Sequence, residues 1–447
     1  MFSSLRASAL LSRNNASDSS AMNLNGTETK TKSQGTLPSS MSFLITQGSG
    51  QSDYSIGSTR SLQSELNISS TLTINSQPSL CSQGSICSIP YVGIDRPAGS
   101  KLGDGVYQCI GILRGHGGCV FSLAMAGNLI YSGSSSNDIR VWTHSELNEH
   151  CKFGHGDGAV KCILVSGNRI YSAHQDHKIR VWKRADKIQP AKHKLVVTMP
   201  TVKDYVLNAI PPKKYFQERR HKKVLWIEHL DTISALAVDR NGFLYSASWD
   251  RTVKLWRPSD LRCVESFRAH DDAINALVVS PDGFIYTGSA DSKIKIWAKA
   301  FGERKHSLVA IIERHKSAIN ALALSPDGSI LYSGACDRSI IVWEREESER
   351  HMVVSGALRG HSRAILCLAT VAEFLCSGSA DNTIRVWKRG EGNVHYCLAV
   401  LEGHRGPVKS IALSVDTVVG CRVYSGSLDH DIRVWWVSSR TSVSDDK

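Results

Sequence analysis

The sequence predicts an all-β fold: a seven-bladed β-propeller behind a disordered N-terminal tail. The first observation is a series of seven tryptophans, separated by 40, 74, 41, 46, 44 and 48 residues: Trp142, Trp182, Trp256, Trp297, Trp343, Trp387 and Trp435. Units of forty-odd residues with four short apolar runs are typical of propeller blades, and the long interval is one unit plus about 34 inserted residues. The second observation is a serine-rich N-terminal stretch without any lasting helical or alternating apolar period.

The first 105 residues are predicted to be the disordered tail, and about a quarter of the first hundred are serine. Residues 1–15 contain Arg6 and Arg13 but no acidic residue, so an organellar transit peptide is the alternative interpretation. We find no run long and apolar enough for a transmembrane segment and no secretory signal pattern. The expected location is therefore the cytoplasm, the nucleus or both.

Charge and cysteine content exclude some classes of function. The net charge is +12 and falls almost entirely beyond the tail, so an acidic or anionic partner has to be considered. The twelve cysteines include no C-x-x-C pair, which argues against a structural zinc site or a redox motif. We expect no metal, no cofactor and no small-molecule substrate.

Three further residue types recur in phase with the tryptophans. A hydroxyl residue lies ten positions before each tryptophan, and an aspartate lies six positions before it in six blades; blade one has Ser136 there, followed by Asn137 and Asp138. A histidine precedes each of these turns by 20 to 25 residues. The members in blades two to seven are His155, Ser172, Asp176 and Trp182; His229, Ser246, Asp250 and Trp256; His270, Thr287, Asp291 and Trp297; His315, Ser333, Asp337 and Trp343; His361, Ser377, Asp381 and Trp387; His404, Ser425, Asp429 and Trp435.

The strands of blade four are predicted at residues 274–279, 284–288, 294–297 and 308–312, with Ser280-Pro281-Asp282-Gly283 as a hairpin turn. The seventh repeat ends three strands in, at Val437, before a polar stub at 439–447. The orphan segment 107–113 has the length and pattern to supply the missing strand, which would remove the open sheet edges. The propeller therefore spans 106–438, with an insertion at 184–224 in blade two.

From Tyr107 to Val437 these in-phase residues resemble the WD-repeat family. Within it, Leu225-Trp226-Ile227-Glu228-His229, the basic insertion and the serine-rich tail resemble the plant Jingubang-type proteins. The family resemblance implies that each aspartate accepts a hydrogen bond from histidine, histidine from serine, and serine from the indole. Seven copies under a tryptophan indicate that the Ser, His and Asp residues hold the fold and do not form a hydrolase triad. Blade one, without the aspartate, is expected to be looser.

The resemblance also implies partner binding at the top of the central channel, meaning the face that carries the turns between second and third strands. The residues at the corresponding positions are Phe121, Lys161, Gln175, Trp249, Asn275, Asn320, Leu366, Lys409 and Leu428. Trp249 is the strongest candidate for an anchor, since an aromatic side chain there loses little entropy on docking. The alternative is that Trp249 folds back over its own blade.

The insertion is predicted to join the third strand of blade two to its outer strand, and so to leave from the opposite face. It is rich in basic residues, chief among them Lys213, Lys214, Arg219, Arg220, Lys222 and Lys223. Residues 204–208 are predicted to form a short helix that Pro211-Pro212 stops. Such a loop is either a solvated linker or a site for an acidic surface, anionic lipid or nucleic acid.

The sequence therefore predicts a non-enzymatic scaffold or adaptor that binds regulatory proteins on the top face, possible partners being a transcription factor or a signalling protein. The resemblance implies a role like that of plant developmental or growth regulators. The alternative is a lipid- or nucleic-acid-associated module that acts through the basic residues within 192–223.

Overall fold

A computed structural model of the chain describes residues 93–95, 107–154, 158–184, 193–209, 215–219, 222–346, 352–417 and 420–438. Within these ranges, seven blades of four antiparallel strands each form the propeller, as predicted, and the sheet of blade six has one additional parallel strand. In each blade the first strand along the chain is the innermost, and side chains alternate between the two faces of the sheet.

Two strands precede the first blade: β1 (Gly93–Asp95) and β2 (Tyr107–Leu113). The first two blades follow in chain order. Blade one consists of β3 (Val120–Ala126), β4 (Leu129–Ser134), β5 (Ile139–Thr143) and β6 (Glu149–Phe153). Blade two consists of β7 (Val160–Ser166), β8 (Arg169–His174), β9 (Ile179–Lys183) and β10 (Lys194–Met199).

An inserted segment separates blades two and three: α1 (Val202–Ala209), β11 (Tyr215–Arg219) and β12 (Lys222–Leu225). Blade three consists of β13 (Ile233–Val238), β14 (Leu244–Ser248), β15 (Thr252–Trp256) and β16 (Cys263–Arg268). Blade four consists of β17 (Ile274–Val279), β18 (Ile285–Ser289), β19 (Lys293–Ala298) and β20 (Ser307–Glu313), within about a residue of the predicted bounds.

The last three blades keep the same order. Blade five consists of β21 (Ile319–Leu324), β22 (Ile330–Ala335), β23 (Ile340–Arg345) and β24 (Met352–Leu358). Blade six consists of β25 (Ile365–Val371), β26 (Phe374–Ser379), β27 (Ile384–Arg389) and β28 (His395–Leu401), with a 3₁₀ turn at Glu391–Asn393. Blade seven has three consecutive strands, β29 (Val408–Thr417), β30 (Gly420–Ser427) and β31 (Ile432–Ser438).

The predicted closure of the ring is confirmed. β2 pairs antiparallel with β31, from Tyr107 opposite Val437 to Leu113 opposite Ile432, and is the outer strand of blade seven. Leu113 and Ile432 then lie in one buried cluster with Val120 and Trp142 of blade one. The N- and C-terminal parts of the propeller are therefore joined by both backbone hydrogen bonds and apolar packing.

The core is divided among seven such apolar clusters, each built from two adjacent blades. Adjacent blades approach closely where glycine follows the hydroxyl residue of the second strand. A Cβ atom on Gly334 would lie 2.5 Å from Cγ2 of Ile365 in the next blade, and one on Gly133 would lie 2.5 Å from Cγ1 of Val160. The absence of a side chain at these positions lets the inner strands pack against one another.

The position of the insertion differs from the prediction. β10 lies inside the predicted insertion 184–224 and is itself the outer strand of blade two, paired with β9. Met199, at the end of β10, lies opposite Ile179, which follows the turn that carries Asp176. The insertion therefore begins after the outer strand and leaves from the top face, not from the opposite one.

The predicted helix is present as α1. Thr201 and Asp204 cap it reciprocally: the Asp204 amide donates to the Thr201 hydroxyl, and the Asp204 carboxylate accepts from the Thr201 backbone and side chain. The segment is fastened to blade three, since the Lys254 ammonium donates to the Trp226 carbonyl at 2.6 Å, and the Trp226 indole donates to Asn208 at 3.3 Å.

The predicted disordered tail and the transit-peptide alternative lie outside the described residues, apart from Gly93–Asp95. These residues form a short strand, β1, which pairs in parallel with β28 and adds a fifth strand to blade six. This pairing was not expected from the composition. It is explained by the outer edge of β28, whose backbone groups are available to any extended segment that passes it. The predicted stub 439–447 also lies outside the described residues.

Candidate functional site

Six blades contain a continuous buried chain of hydrogen bonds, and in five of them the aspartate stands at the predicted position. In blade six the Trp387 indole N–H donates to the Ser377 hydroxyl at 3.1 Å, and Ser377 contacts Nε2 of His361 at 2.8 Å. Nδ1 of His361 lies 2.8 Å from the Asp381 carboxylate. With Nδ1–H donating to the aspartate, each polar group in this interior has a partner.

The same chain occurs in blades three, four, five and seven. The His–Asp distances there are 2.8, 2.8, 2.9 and 2.8 Å, in the order His229–Asp250, His270–Asp291, His315–Asp337 and His404–Asp429. The hydroxyls of Ser246, Thr287, Ser333 and Ser425 accept from Trp256, Trp297, Trp343 and Trp435. All these hydroxyl residues are fully buried, so none can reach a substrate.

The aspartates of these chains are held ionised. Burial alone would raise the pKa of the Asp381 carboxyl, but hydrogen bonds from His361 and Thr383 bring that pKa well below its usual range. The pKa of Asp429 is lowered in the same way by His404, again against the effect of burial. A buried histidine whose Nδ1–H donates to a fixed carboxylate holds its other ring nitrogen against the serine hydroxyl. The role of this hydrogen-bonded chain is therefore structural.

Blade one contradicts the expectation that it lacks the aspartate. Asp138, two positions beyond Ser136, accepts from the Ser134 hydroxyl at 2.7 Å and lies 3.3 Å from Nδ1 of His116. His116 in turn contacts the Ser132 hydroxyl at 2.7 Å. In this turn the carboxylate that contacts the histidine comes from a position two residues later. Blade one therefore does have its aspartate, and the expectation that it is looser for lack of one is wrong.

Blade two departs from the predicted set. His155 lies outside the described residues, and the imidazole beside the Ser172 hydroxyl is His174, at 2.8 Å. Asp176 instead forms a two-point ion pair with Arg180, the shorter contact being 2.6 Å. Trp182 still donates to Ser172 at 2.9 Å. Burial first, and then Arg180, lower the pKa of His174 to about 4, so this imidazole is neutral.

The sequence analysis missed one more residue type that recurs in phase with the repeats. Tyrosine stands directly before the hydroxyl residue in six blades: Tyr131, Tyr171, Tyr245, Tyr286, Tyr332 and Tyr424. Because neighbouring residues of a strand face opposite sides, these rings point away from the buried chain. Four of them contact a histidine of the following blade, namely His193, His306, His395 and His144. The repeated Tyr-Ser or Tyr-Thr dipeptide was the available signal.

The predicted top-face residues divide into two groups around the channel. Phe121 of blade one, Lys161 of blade two and Trp249 of blade three come together, and we call these three residues the rim cluster. The Lys161 ammonium lies 4.1 Å from the centroid of Phe121 and 5.8 Å from that of Trp249. The Trp249 amide donates to the Thr232 carbonyl at 3.0 Å, which fixes the turn.

From blade three to blade six, the positions equivalent to Phe121 and Lys161 connect neighbouring blades. Nδ2 of Asn275 donates to the Ile319 carbonyl at 3.0 Å, and Nδ2 of Asn320 donates to the Ile365 carbonyl at 2.8 Å. The Ser234 hydroxyl makes the same contact with Ile274. These short donors join the inner strands of blades three to six, so Asn275 and Asn320 are occupied within the fold.

The remaining predicted top-face residues differ in exposure. Gln175 is exposed, whereas Leu366, Lys409 and Leu428 are half-buried. The Leu428 carbonyl accepts from Sγ of Cys119 at 3.4 Å, which links blade seven to the start of blade one. Leu428 and Lys409 therefore belong to the same side of the channel as the rim cluster.

The basic residues of the insertion are only partly described. Lys213, Lys214 and Arg220 lie outside the described residues, and of Arg219, Lys222 and Lys223 the structure describes only the backbone. Arg219 and Lys222 are register partners at the end of the β11–β12 hairpin. The insertion that contains them begins at the top-face end of β10.

Within the described ranges, no three His, Cys, Asp or Glu side chains are grouped so that they could hold a metal ion. No helix in the same part of the chain is long and apolar enough to cross a membrane.

Comparison with known proteins agrees with the repeat architecture. The family model of the WD domain, G-beta repeat, matches residues 107–143, 148–183, 222–257, 261–298, 306–344, 352–388 and 395–435. No curated protein matches the chain in a sequence search. WD40 propellers generally act as scaffolds that bind protein partners, and typically not as enzymes. With seven matching repeats over more than half of its length, the chain belongs to the WD40 repeat family.

Proposed function

We propose that this propeller is a non-enzymatic adaptor that binds regulatory proteins at its top face through the rim cluster. The observation that carries this proposal is the convergence of Phe121, Lys161 and Trp249 from three blades at one side of the channel. Aromatic side chains at a channel mouth can anchor a partner at low entropic cost. The buried serines of the hydrogen-bonded chains offer no accessible nucleophile.

The experiment is a pull-down with the full chain, compared with Phe121→Ala/Trp249→Ala. Phe301→Ala is the matched control, because this phenylalanine is fully exposed on the loop between the third and fourth strands of blade four, at the other end of the propeller. We expect partners to bind the double variant at least tenfold more weakly, since each anchor is worth about 2 kcal/mol, and to bind the control normally. Equal binding by the double variant and wild type would reject the rim cluster as the binding site.

The proposed partners are regulatory proteins, such as a transcription factor or a signalling protein, in the cytoplasm or the nucleus. The support is the resemblance of the tail, the insertion and residues 225–229 to the plant Jingubang-type proteins. A fluorescent fusion of the full chain tests the location, and identification of the captured proteins tests the partner class. Capture of metabolic enzymes alone would count against a regulatory role.

A second candidate function is binding of anionic lipid or nucleic acid through the insertion. It is favoured by the β11–β12 hairpin, whose register brings Arg219 and Lys222 opposite each other. Binding of this kind weakens steeply with salt, because phosphate contacts release counterions. Neutralising Lys213, Lys214, Arg219, Arg220, Lys222 and Lys223 would abolish it while leaving the rim cluster intact.

A further inference from the structure

The mouth of the channel is cationic on the side of the rim cluster. Lys161 follows the first apolar residue of β7, and Lys409 holds the equivalent position in β29 of blade seven. Both side chains are half-buried. Burial first, and then the charge of Lys409, lower the pKa of the Lys161 ammonium to about 8.

The turn aspartates of the blades around the rim cluster are already engaged. The turn aspartates of blades seven, one and three accept from histidines: Asp429 from His404, Asp138 from His116 and Asp250 from His229. The aspartate of blade two, Asp176, pairs with Arg180. Among the described residues, no carboxylate forms an ion pair with Lys161, whose ammonium instead faces the rings of Phe121 and Trp249.

We propose that the channel mouth recognises an acidic segment of a partner protein, with Lys161 pairing with a carboxylate and Phe121 and Trp249 packing against a neighbouring apolar side chain. This proposal rests on the proposed adaptor function and specifies its partner chemistry. Charge complementarity carries it, because the Lys161 ammonium lies over the two rings with no carboxylate partner among the described residues, and the turn aspartates of blades seven, one, two and three are engaged within the fold. A half-buried ammonium gains more from an incoming carboxylate than an exposed one does.

Other ligand chemistries fit less well. A cationic ligand would have to displace Lys161 from the aromatic rings and would be repelled by Lys409. A nucleic acid needs a row of cations that follows its phosphates, whereas the rim cluster has one lysine beside two rings. A peptide with a carboxylate beside an apolar side chain can contact all three residues of the rim cluster, the carboxylate at Lys161 and the apolar side chain at the two rings.

The test uses two fluorescein-labelled peptides, Glu-Leu-Glu-Gly repeated three times and the same peptide with glutamine in place of glutamate. Fluorescence anisotropy is measured with the full chain at low and at physiological salt. We expect the glutamate peptide to bind at least tenfold more tightly than the glutamine peptide. A fluorescein-labelled dT12 oligonucleotide is the third probe, and it is expected to bind no better than the glutamine peptide.

Three substitutions locate the effect. Lys161→Met keeps the unbranched stem but removes the charge, and should abolish the preference for glutamate. Lys161→Arg should retain most of it. Lys316→Met removes an exposed charge beside the turn aspartate Asp337 of blade five, on the same face, and should change nothing. Equal thermal unfolding midpoints show that each variant is folded.

The proposal is overturned if both peptides bind equally or not at all, if Lys316→Met has the same effect as Lys161→Met, or if dT12 binds best through Lys161. Its failure can be told apart from failure of the adaptor function. If Phe121→Ala/Trp249→Ala loses the captured partners but Lys161→Met retains them, the rim cluster binds partners without recognising acidic groups.

Discussion

At the residue scale, the molecule repeats one arrangement of Trp, Ser or Thr, His and Asp and varies it where a turn differs. The residue types and spacing were readable from the sequence because each chain has to satisfy its buried polar groups in the same way. The variation in blade one was not readable, since position alone pointed to Ser136. Only the folded turn shows that the Asp138 carboxylate reaches His116.

The first prediction concerns this shifted aspartate. Asp138→Asn should destabilise the fold by about 1–3 kcal/mol, as Asp381→Asn should in blade six, because each leaves a buried histidine without its carboxylate. Ser136→Ala should change the free energy of unfolding by less than about 0.5 kcal/mol. Urea unfolding followed by tryptophan fluorescence measures all three. A large effect of Ser136→Ala together with a small one of Asp138→Asn would contradict the assignment.

A second prediction concerns pH. Burial is the main reason that the pKa values of His193 and His395 are lowered to about 4, whereas an unfolded histidine titrates near 6.5. The unfolded chain therefore binds more protons, and the free energy of unfolding should fall as the pH decreases from about 6.5 to 4.

His395→Gln should make this pH dependence shallower, although it also removes the 2.9 Å contact with the Tyr332 hydroxyl and lowers stability at neutral pH. The exposed His430→Gln is the control and should keep the wild-type slope. Urea midpoints between pH 7 and 4.5 provide the test. An unchanged slope in His395→Gln would show that this imidazole is not the group that titrates.

At the scale of elements, blade four was predicted nearly to the residue because its turns contain Pro and Gly at fixed places. The outer strand of blade two was misplaced. The insertion was predicted at 184–224, between the third strand of blade two and its outer strand, so the outer strand was expected after residue 224. In the structure, Lys194–Met199 pairs with β9 and is the outer strand. The segment before His229 is instead held by Lys254 of blade three, whose ammonium donates to the Trp226 carbonyl.

The third prediction belongs to the closing strand. Deleting residues up to Leu113 removes β2, exposes the edge of β31 and leaves the apolar cluster between blades seven and one incomplete, so aggregation is expected. Deleting residues up to Ser100 removes β1 from the edge of blade six but leaves the ring closed, and this variant should remain monodisperse. Size-exclusion chromatography distinguishes the two. Monodisperse behaviour of the longer deletion would show that β2 is dispensable.

At the scale of the whole propeller, the channel mouth is asymmetric although the blades repeat. Short hydrogen-bond donors join the inner strands of blades three to six, at Ser234, Asn275 and Asn320. Blades one to three present Phe121, Lys161 and Trp249. The sequence analysis identified these positions at the channel mouth. It could not show which of their side chains donate to a backbone carbonyl of the next blade, because that depends on the distance between the two blades.

Partners are expected to bind on this aromatic and cationic side of the channel mouth, and hydrogen–deuterium exchange of the full chain with and without a captured partner can locate the contact. Binding there should slow exchange at the start of β3, at the start of β7 and in the turn at residues 249–252, with no change in β20. Protection confined to the insertion, or to the outer strands of the blades, would contradict it.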